Sequence, residues 1–154
     1  IYILLVVLGT GDAHYESALR SLENYRHDRV RSILLFSNKM SAKIYASSDI
    51  FLMPSKTEPC GLSQLISMRY GTVPVVHRVG GLRDTVIPFT GVEGNGFTFE
   101  SFQSGDMMDA IYRAVTCFYQ SPDEWNQIIQ NNLKKDVSWE KSAKQYLSLY
   151  QEVL

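Results

Sequence analysis

Short apolar runs alternate with segments of helical period along the first two thirds of this chain, and few folds accommodate that pattern. Ile1–Leu8, Ser32–Phe36, Ile50–Met53 and Val73–Val76 are rich in Ile, Val and Leu and read as buried strands. Pro54 ends the third of them. Asp12–Tyr25, Ser41–Ala46 and Leu62–Tyr70 suit helices, the first with Tyr15, Ala18, Leu19 and Leu22 on one face. Gly71 is well placed to end the Leu62–Tyr70 helix. Gly80-Gly81 opens a turn and a short helix at Arg83–Val86, and Phe97–Phe99 alternates like an edge strand after the polar loop Gly91–Gly96. Gly105–Tyr119, Pro122–Leu133 and Ser138–Leu154 are helices, with Asp123 and Ser138 as N-caps. Apolar residues recur at 108, 111, 115 and 118 in the first, and at 139, 143, 146, 150 and 153 in the last, a stripe expected to be buried. The alternation predicts an α/β fold: a parallel sheet with helices on both faces, then a helical tail.

The length of 154 residues suits a single domain spanning 1–154. With 45% hydrophobic and 20% charged residues the chain is neither disordered nor a coiled coil. A net charge of −1 gives no overall field for nucleic acid or an anionic membrane. The charge is uneven: residues 1–83 carry 10 basic and 6 acidic side chains, residues 84–154 carry 5 and 10. That asymmetry fits solvated faces or an anion site in the first half. Two cysteines and three scattered histidines, His14, His27 and His77, form neither a disulfide framework nor a metal ligand set. The apolar run at the start is far shorter than the ~20 residues of a membrane helix and lacks the marks of a signal peptide. Because the sequence opens at Ile inside a strand, it is expected to be part of a longer polypeptide.

In open parallel sheets, ligands bind beyond the carboxyl ends of the strands. The most informative loop there is Pro54-Ser55-Lys56-Thr57-Glu58-Pro59-Cys60-Gly61-Leu62-Ser63-Gln64. Two prolines restrict it, Gly61 allows close approach, and the following helix start offers N–H groups to an anion. Glu58 at its mouth either accepts hydrogen bonds from ligand hydroxyls or merely favours the helix dipole. Cys60 near the helix start is a reactive thiol or a small residue that fits; Cys117 is core. Gly9-Thr10-Gly11-Asp12 reads as a tight turn, since it lacks the third glycine of a dinucleotide site. Gly80-Gly81 is a plain turn or a backbone contact for phosphate or sugar. Phe36, ending the second strand, stacks on a flat ligand ring or belongs to the core. His77 is expected as a partly exposed strand-end residue.

Taken together, Ser48-Asp49, Met53-Pro54-Ser55, Glu58–Gln64, Met68–Pro74 and Gly80–Val86 resemble the bacterial glycogen synthases and plant starch synthases. Leu8–Asp12, Gly94–Phe97 and Ser138-Trp139 agree in order and spacing, so the resemblance covers essentially the whole chain. It implies the C-terminal, donor-binding half of a two-domain GT-B fold, a Rossmann-like nucleotide-sugar-binding domain without its first strand. The implied reaction transfers glucose from ADP-glucose, or UDP-glucose in some relatives, to the non-reducing end of an α-1,4-glucan with retention. The implied partners are that donor, the glucan acceptor and the N-terminal domain of the same polypeptide. No cofactor or metal is implied, and the location is cytoplasmic in bacteria or plastidic in plants.

By the same resemblance, Glu58 is the catalytic glutamate that contacts the donor glucose. Cys60, Gly61 and Leu62 form the loop meeting the sugar hydroxyls, Ser63 contacts donor phosphate, and Phe36 stands where the family often stacks Tyr on adenine. The chain departs from the family at Val79, where many relatives have Thr, and at Ile66, where broader GT-B enzymes hold ribose with Glu. The Arg and Lys that grip the diphosphate are expected before residue 1. Two other readings remain: a GT-B enzyme with a different donor or acceptor, and a non-catalytic Rossmann-like module.

Overall fold

A computed structural model describes residues 2–153; Ile1 and Leu154, the outer ends of the first strand and last helix read from sequence, lie outside the described residues. The chain divides into two compact units, Ile1–Ser47 and Ser48–Leu154.

In the first unit, β1 (Leu5–Leu8) pairs in parallel with β2 (Val30–Ile33). Helix α1 (Ala13–Tyr25) crosses between them and α2 (Asn38–Ser47) follows. Asp12 caps α1 by accepting from the His14 N–H at 2.8 Å, while Glu16 reaches back to the Gly11 N–H at 2.9 Å. With Gly9 N–H bonded to Ile33 O at 3.1 Å, the Gly9–Asp12 segment is a satisfied strand-to-helix turn. Glu23 of α1 accepts from the Ser32 hydroxyl and from its N–H, and these bonds hold the carboxyl below its ordinary pKa. Both strands are shorter than the apolar runs suggested. The second stops at Ile33, so Phe36 lies beyond the strand instead of ending it. Nor is β1 buried on both faces, because Leu5 is exposed and Val6–Leu8 are half-buried.

In the second unit, β3 (Ile50–Met53), β4 (Val73–His77) and β5 (Phe97–Phe99) form a parallel sheet in that order. Central β4 is buried along its whole length. Its Val73 and Val75 join Phe97, Phe99, Trp125 and Ile128 in the main core, whereas Val76 packs with Leu82, Val86 and Met53. This is the two-faced burial that makes a parallel strand continuously apolar. The strands connect through α3 (Ser63–Arg69) and α4 (Gly80–Thr85). Gly71, at φ +80°, ends the α3 segment as expected.

The α/β class and parallel pairing are as the alternation predicts. Among the described residues β1 pairs with β2 in the first unit, and β3, β4 and β5 pair in the second. Strand period reveals which faces are apolar; it carries no information on which edges exchange hydrogen bonds.

Helices α5 (Ser104–Gln120), α6 (Pro122–Lys134) and α7 (Trp139–Val153) complete this unit. The buried face of α5 is Ala110, Ala114, Val115 and Cys117, and Met108 is exposed. Small residues there let the helix lie close to β5. Burial, and then Glu124, push the Cys117 thiol upward in pKa. Ser121 holds the N-cap position of α6 without a side-chain cap bond and Pro122 opens its first turn, so Asp123 is a first-turn acid rather than the N-cap residue. The expected buried stripe of α7 is exposed: Trp139 is 85% and Val153 80% accessible. Amphipathic period orients apolar residues on a helix but does not supply a partner for them.

Ile128 is completely buried in the main core. Ile128→Val should lower unfolding free energy by about 1 kcal/mol. Urea denaturation will show a lower midpoint at unchanged slope; an unchanged midpoint would mean that the site collapses around the smaller side chain.

Candidate active site

The loop from Pro54 to Leu62 leaves the carboxyl end of β3 and is fastened at several points along its backbone. First, His77, the last residue of β4, places Nδ1 2.7 Å from Ser55 O and Nε2 3.2 Å from Glu100 O. The ring stacks on Phe99 with centroids 5.2 Å apart and is only 5% exposed. The expectation of a partly exposed residue fails because two backbone carbonyls and an aromatic face enclose the imidazole.

Next, the Gly81 N–H donates to Glu58 O at 3.0 Å. Gly80 and Gly81 lie directly against the loop. A Cβ on Gly80 would fall 1.9 Å from Glu58 O, and one on Gly81 2.0 Å from Cys60 O. These glycines therefore serve close backbone packing, and the Gly81 amide is already committed to Glu58 O. Val79 stands at the N-cap of α4 without a side-chain cap bond. The hydroxyl absent at this position is thus one that would sit at a helix start.

At the far end of the loop, Gly61 adopts φ +72° and is buried. The Gln64 amide nitrogen donates to Gly61 O at 2.9 Å, to Cys60 O at 3.3 Å and to Thr85 Oγ1 at 3.1 Å. Leu62 at the N-cap of α3 provides no side-chain acceptor for the first-turn N–H groups.

This frame carries Glu58, Cys60, Gly61 and Leu62 on one loop, with Ser63 next to them as the first residue of α3. Glu58 and Ser63 are half-buried, Cys60 and Leu62 exposed. A half-buried carboxylate on an anchored backbone can accept hydrogen bonds from hydroxyls or lie beside developing positive charge. Ile66 on α3 is 43% exposed. Phe36 belongs to the first unit and is 83% exposed, so its ring is not core. Gln64 and Thr85 were given no role from sequence, and His77 none beyond that of a partly exposed strand end. Gln64, His77 and Thr85 each have a polar sequence neighbour, Ser63, Arg78 and Asp84 respectively, so no local pattern marked them.

Behind the loop a second polar network supports α4. Asn95, 5% exposed, accepts from Ile87 N–H at 2.7 Å and donates to Thr85 O at 3.0 Å. Lys135 donates to the same carbonyl at 2.6 Å, near the C-terminal end of α4 where a cation is favoured. Burial, and then Lys141, hold the Lys135 ammonium below its usual pKa. Among the described residues no group of His, Cys, Asp and Glu is arranged to hold a metal ion. No helix of the described residues is long and apolar enough to cross a membrane.

The sequence pattern of the family described as "Glycosyl transferases group 1" matches residues 2–135. This chain belongs to the group 1 glycosyl transferases. Within the family it is 52% identical over 148 residues to a glycogen synthase of Bacillus licheniformis, covering 95% of this chain and 30% of that protein. A glycogen synthase of Thermotoga maritima is 45% identical over 152 residues, which cover 97% of this chain and 31% of the relative. The chain thus spans about a third of the length of the relatives it matches. Among solved structures, the catalytic domain of starch synthase IV from Arabidopsis thaliana, bound to ADP and acarbose, superposes with a TM-score of 0.85 at 34% identity. That match covers 97% of this glycosyl transferase chain and 32% of the plant one, and it bears out the expected GT-B type of α/β fold.

Proposed function

We propose that this chain is the donor-binding part of a glycogen or starch synthase. The full-length polypeptide transfers glucose from ADP-glucose to the non-reducing end of an α-1,4-glucan, with retention at the anomeric carbon. The observation that carries this reading is the anchored loop Pro54–Leu62, with Glu58 half-buried on a backbone held by Gly81 and Gln64. The glycogen synthase relatives and the starch synthase solved with ADP and acarbose support it.

Residues 1–154 act as one nucleotide-sugar-binding domain, and the remaining polypeptide brings the glucan and the diphosphate-gripping cations. Glu58 orients the donor glucose and favours positive charge developing at its anomeric carbon. Cys60, Gly61 and Leu62 meet the sugar hydroxyls, Ser63 the donor phosphate, and Phe36 the adenine. Binding energy from these remote contacts is realised at the reacting centre only when both halves of the cleft are present. A cytoplasmic location accompanies this function, or a plastidic one in a plant.

The full-length polypeptide should release ADP from ADP-glucose when glycogen is present, and residues 1–154 alone should release none above background. Turnover by the isolated chain would contradict the need for the other half. A folded full-length protein that releases nucleotide from neither ADP-glucose nor UDP-glucose would contradict the synthase reading.

Phe36→Ala should weaken ADP and ADP-glucose binding alike, because both carry the ring. Loss of one aromatic stack corresponds to about 1 kcal/mol, several-fold in affinity. Glucan binding should be unaffected. Calorimetric titration of the full-length variant tests this, and unchanged nucleotide affinity would remove Phe36 from the donor site.

A further inference from the structure

We propose that Gln64 is a positioning residue that acts through Glu58, its buried amide fixing the loop on which that carboxylate stands. The proposal rests on the reading of Glu58 given above. Gln64 is fully buried, and its amide nitrogen faces the carbonyls of Cys60 and Gly61. Carbonyl oxygens only accept hydrogen bonds, so they fix the amide with nitrogen toward the loop. The third partner, Thr85 Oγ1, donates its own proton to Gly81 O at 2.6 Å and therefore accepts from Gln64. Gly81 N–H in turn donates to Glu58 O at 3.0 Å.

These bonds close a ring. It runs from the Glu58 backbone to Gly81, through the Thr85 hydroxyl to Gln64, and back to Cys60 and Gly61, two and three residues beyond Glu58. The loop is thus tied to α4 on both sides of Pro59. The ring also explains Gly61, where a Cβ would lie 2.5 Å from Gln64 Oε1. Gln64 Oε1 is buried without a hydrogen-bond partner, an unfavourable state that a space-filling Leu or Met would avoid. What Gln64 supplies and an apolar side chain does not is the donor to the loop.

The test is a double-mutant cycle in the full-length polypeptide, with kcat for glucan extension, KM for ADP-glucose and the dissociation constant of ADP all measured. Gln64→Met keeps volume and removes the donor. It should lower kcat by about 30-fold, the scale of a misplaced catalytic group, with KM and ADP affinity within threefold of native. In the Glu58→Gln background the same change should cost less than about twofold, because there is no carboxylate left to position. Thr85→Val should reproduce part of the kcat loss and Thr85→Ser should restore it; this pair carries the same cycle if Gln64→Met fails to fold.

Losses that add in full across the cycle would overturn the proposal, as would a kcat loss matched by an equal loss of ADP affinity. A large loss in Glu58→Gln with native kcat in both Gln64→Met and Thr85→Val would overturn this proposal alone. A native rate in Glu58→Gln would overturn the reading of Glu58 and this proposal with it.

Discussion

Glu58→Gln in the full-length polypeptide is expected to lower the rate of glucose transfer by about 10²–10³-fold, with the fold left intact. The change preserves shape but removes the charge and replaces one acceptor oxygen by a donor NH2. As the nucleotide departs, the anomeric carbon becomes electron-poor and the leaving diphosphate gains negative charge. A fixed carboxylate near that carbon interacts more strongly with this transition state than with neutral glucose, so its loss appears in kcat. Glu58 is half-buried on a backbone whose carbonyl is held by Gly81, so the loop that carries its charge is fixed in place. Stability should change little, because no described side-chain bond of the fold depends on that carboxylate. A rate within threefold of native would leave Glu58 as a loop residue beside a helix start.

Gly80→Ala should be severe for a different reason. The added Cβ would sit 1.9 Å from Glu58 O, and the residue occupies φ +45°. Overpacking against backbone and the left-handed conformation each contribute, together about 3 kcal/mol of lost stability. Because the obstructed atom is Glu58 O, the loop must shift, and transfer activity should fall even in molecules that remain folded. Gly81→Ala isolates the steric part, as its Cβ would meet Cys60 O at 2.0 Å. Gly105→Ala is the control: it has open space at the start of α5 and should be neutral or stabilising. Urea denaturation of the three variants ranks these effects. Equal midpoints for Gly80→Ala and native protein would contradict the close packing of α4 on the loop.

Particular residues show how far the sequence could be read. Ile50–Met53 matched because Asp49 and Pro54 bracket a run that suits a strand. Cys117 in the core and Gly71 at the end of α3 followed from helix period and backbone preference. The failures have one physical source, which is that period does not name partners. The apolar residues of α7 repeat as regularly as those of α5, yet α7 has no buried residue. The parallel strands were legible, the pairing order β3-β4-β5 was not.

Glu58, Cys60, Gly61, Leu62 and Ser63 were visible because they lie within one six-residue stretch of sequence. The groups that anchor them come from three elements: Gln64 from α3, His77 from β4, and Gly81 with Thr85 from α4. Their meeting depends on the 21-residue separation between Gln64 and Thr85 being closed by folding, which no local pattern records. Gly80-Gly81 illustrates the same limit. The sequence marks it as a place of close approach, and only the fold shows that the approaching group is the loop backbone itself.

The most direct test of the proposed synthase function is to follow radiolabelled glucose from ADP-glucose into glycogen with the full-length polypeptide. The product is then digested with an exo-acting amylase that removes α-1,4-linked maltose from non-reducing ends. The expected result is label in the glucan, nearly all of it released as maltose, with one ADP formed per glucose transferred and both abolished together in Glu58→Gln. Folded, nucleotide-binding protein that leaves the glucan unlabelled with ADP-glucose and UDP-glucose alike would contradict it.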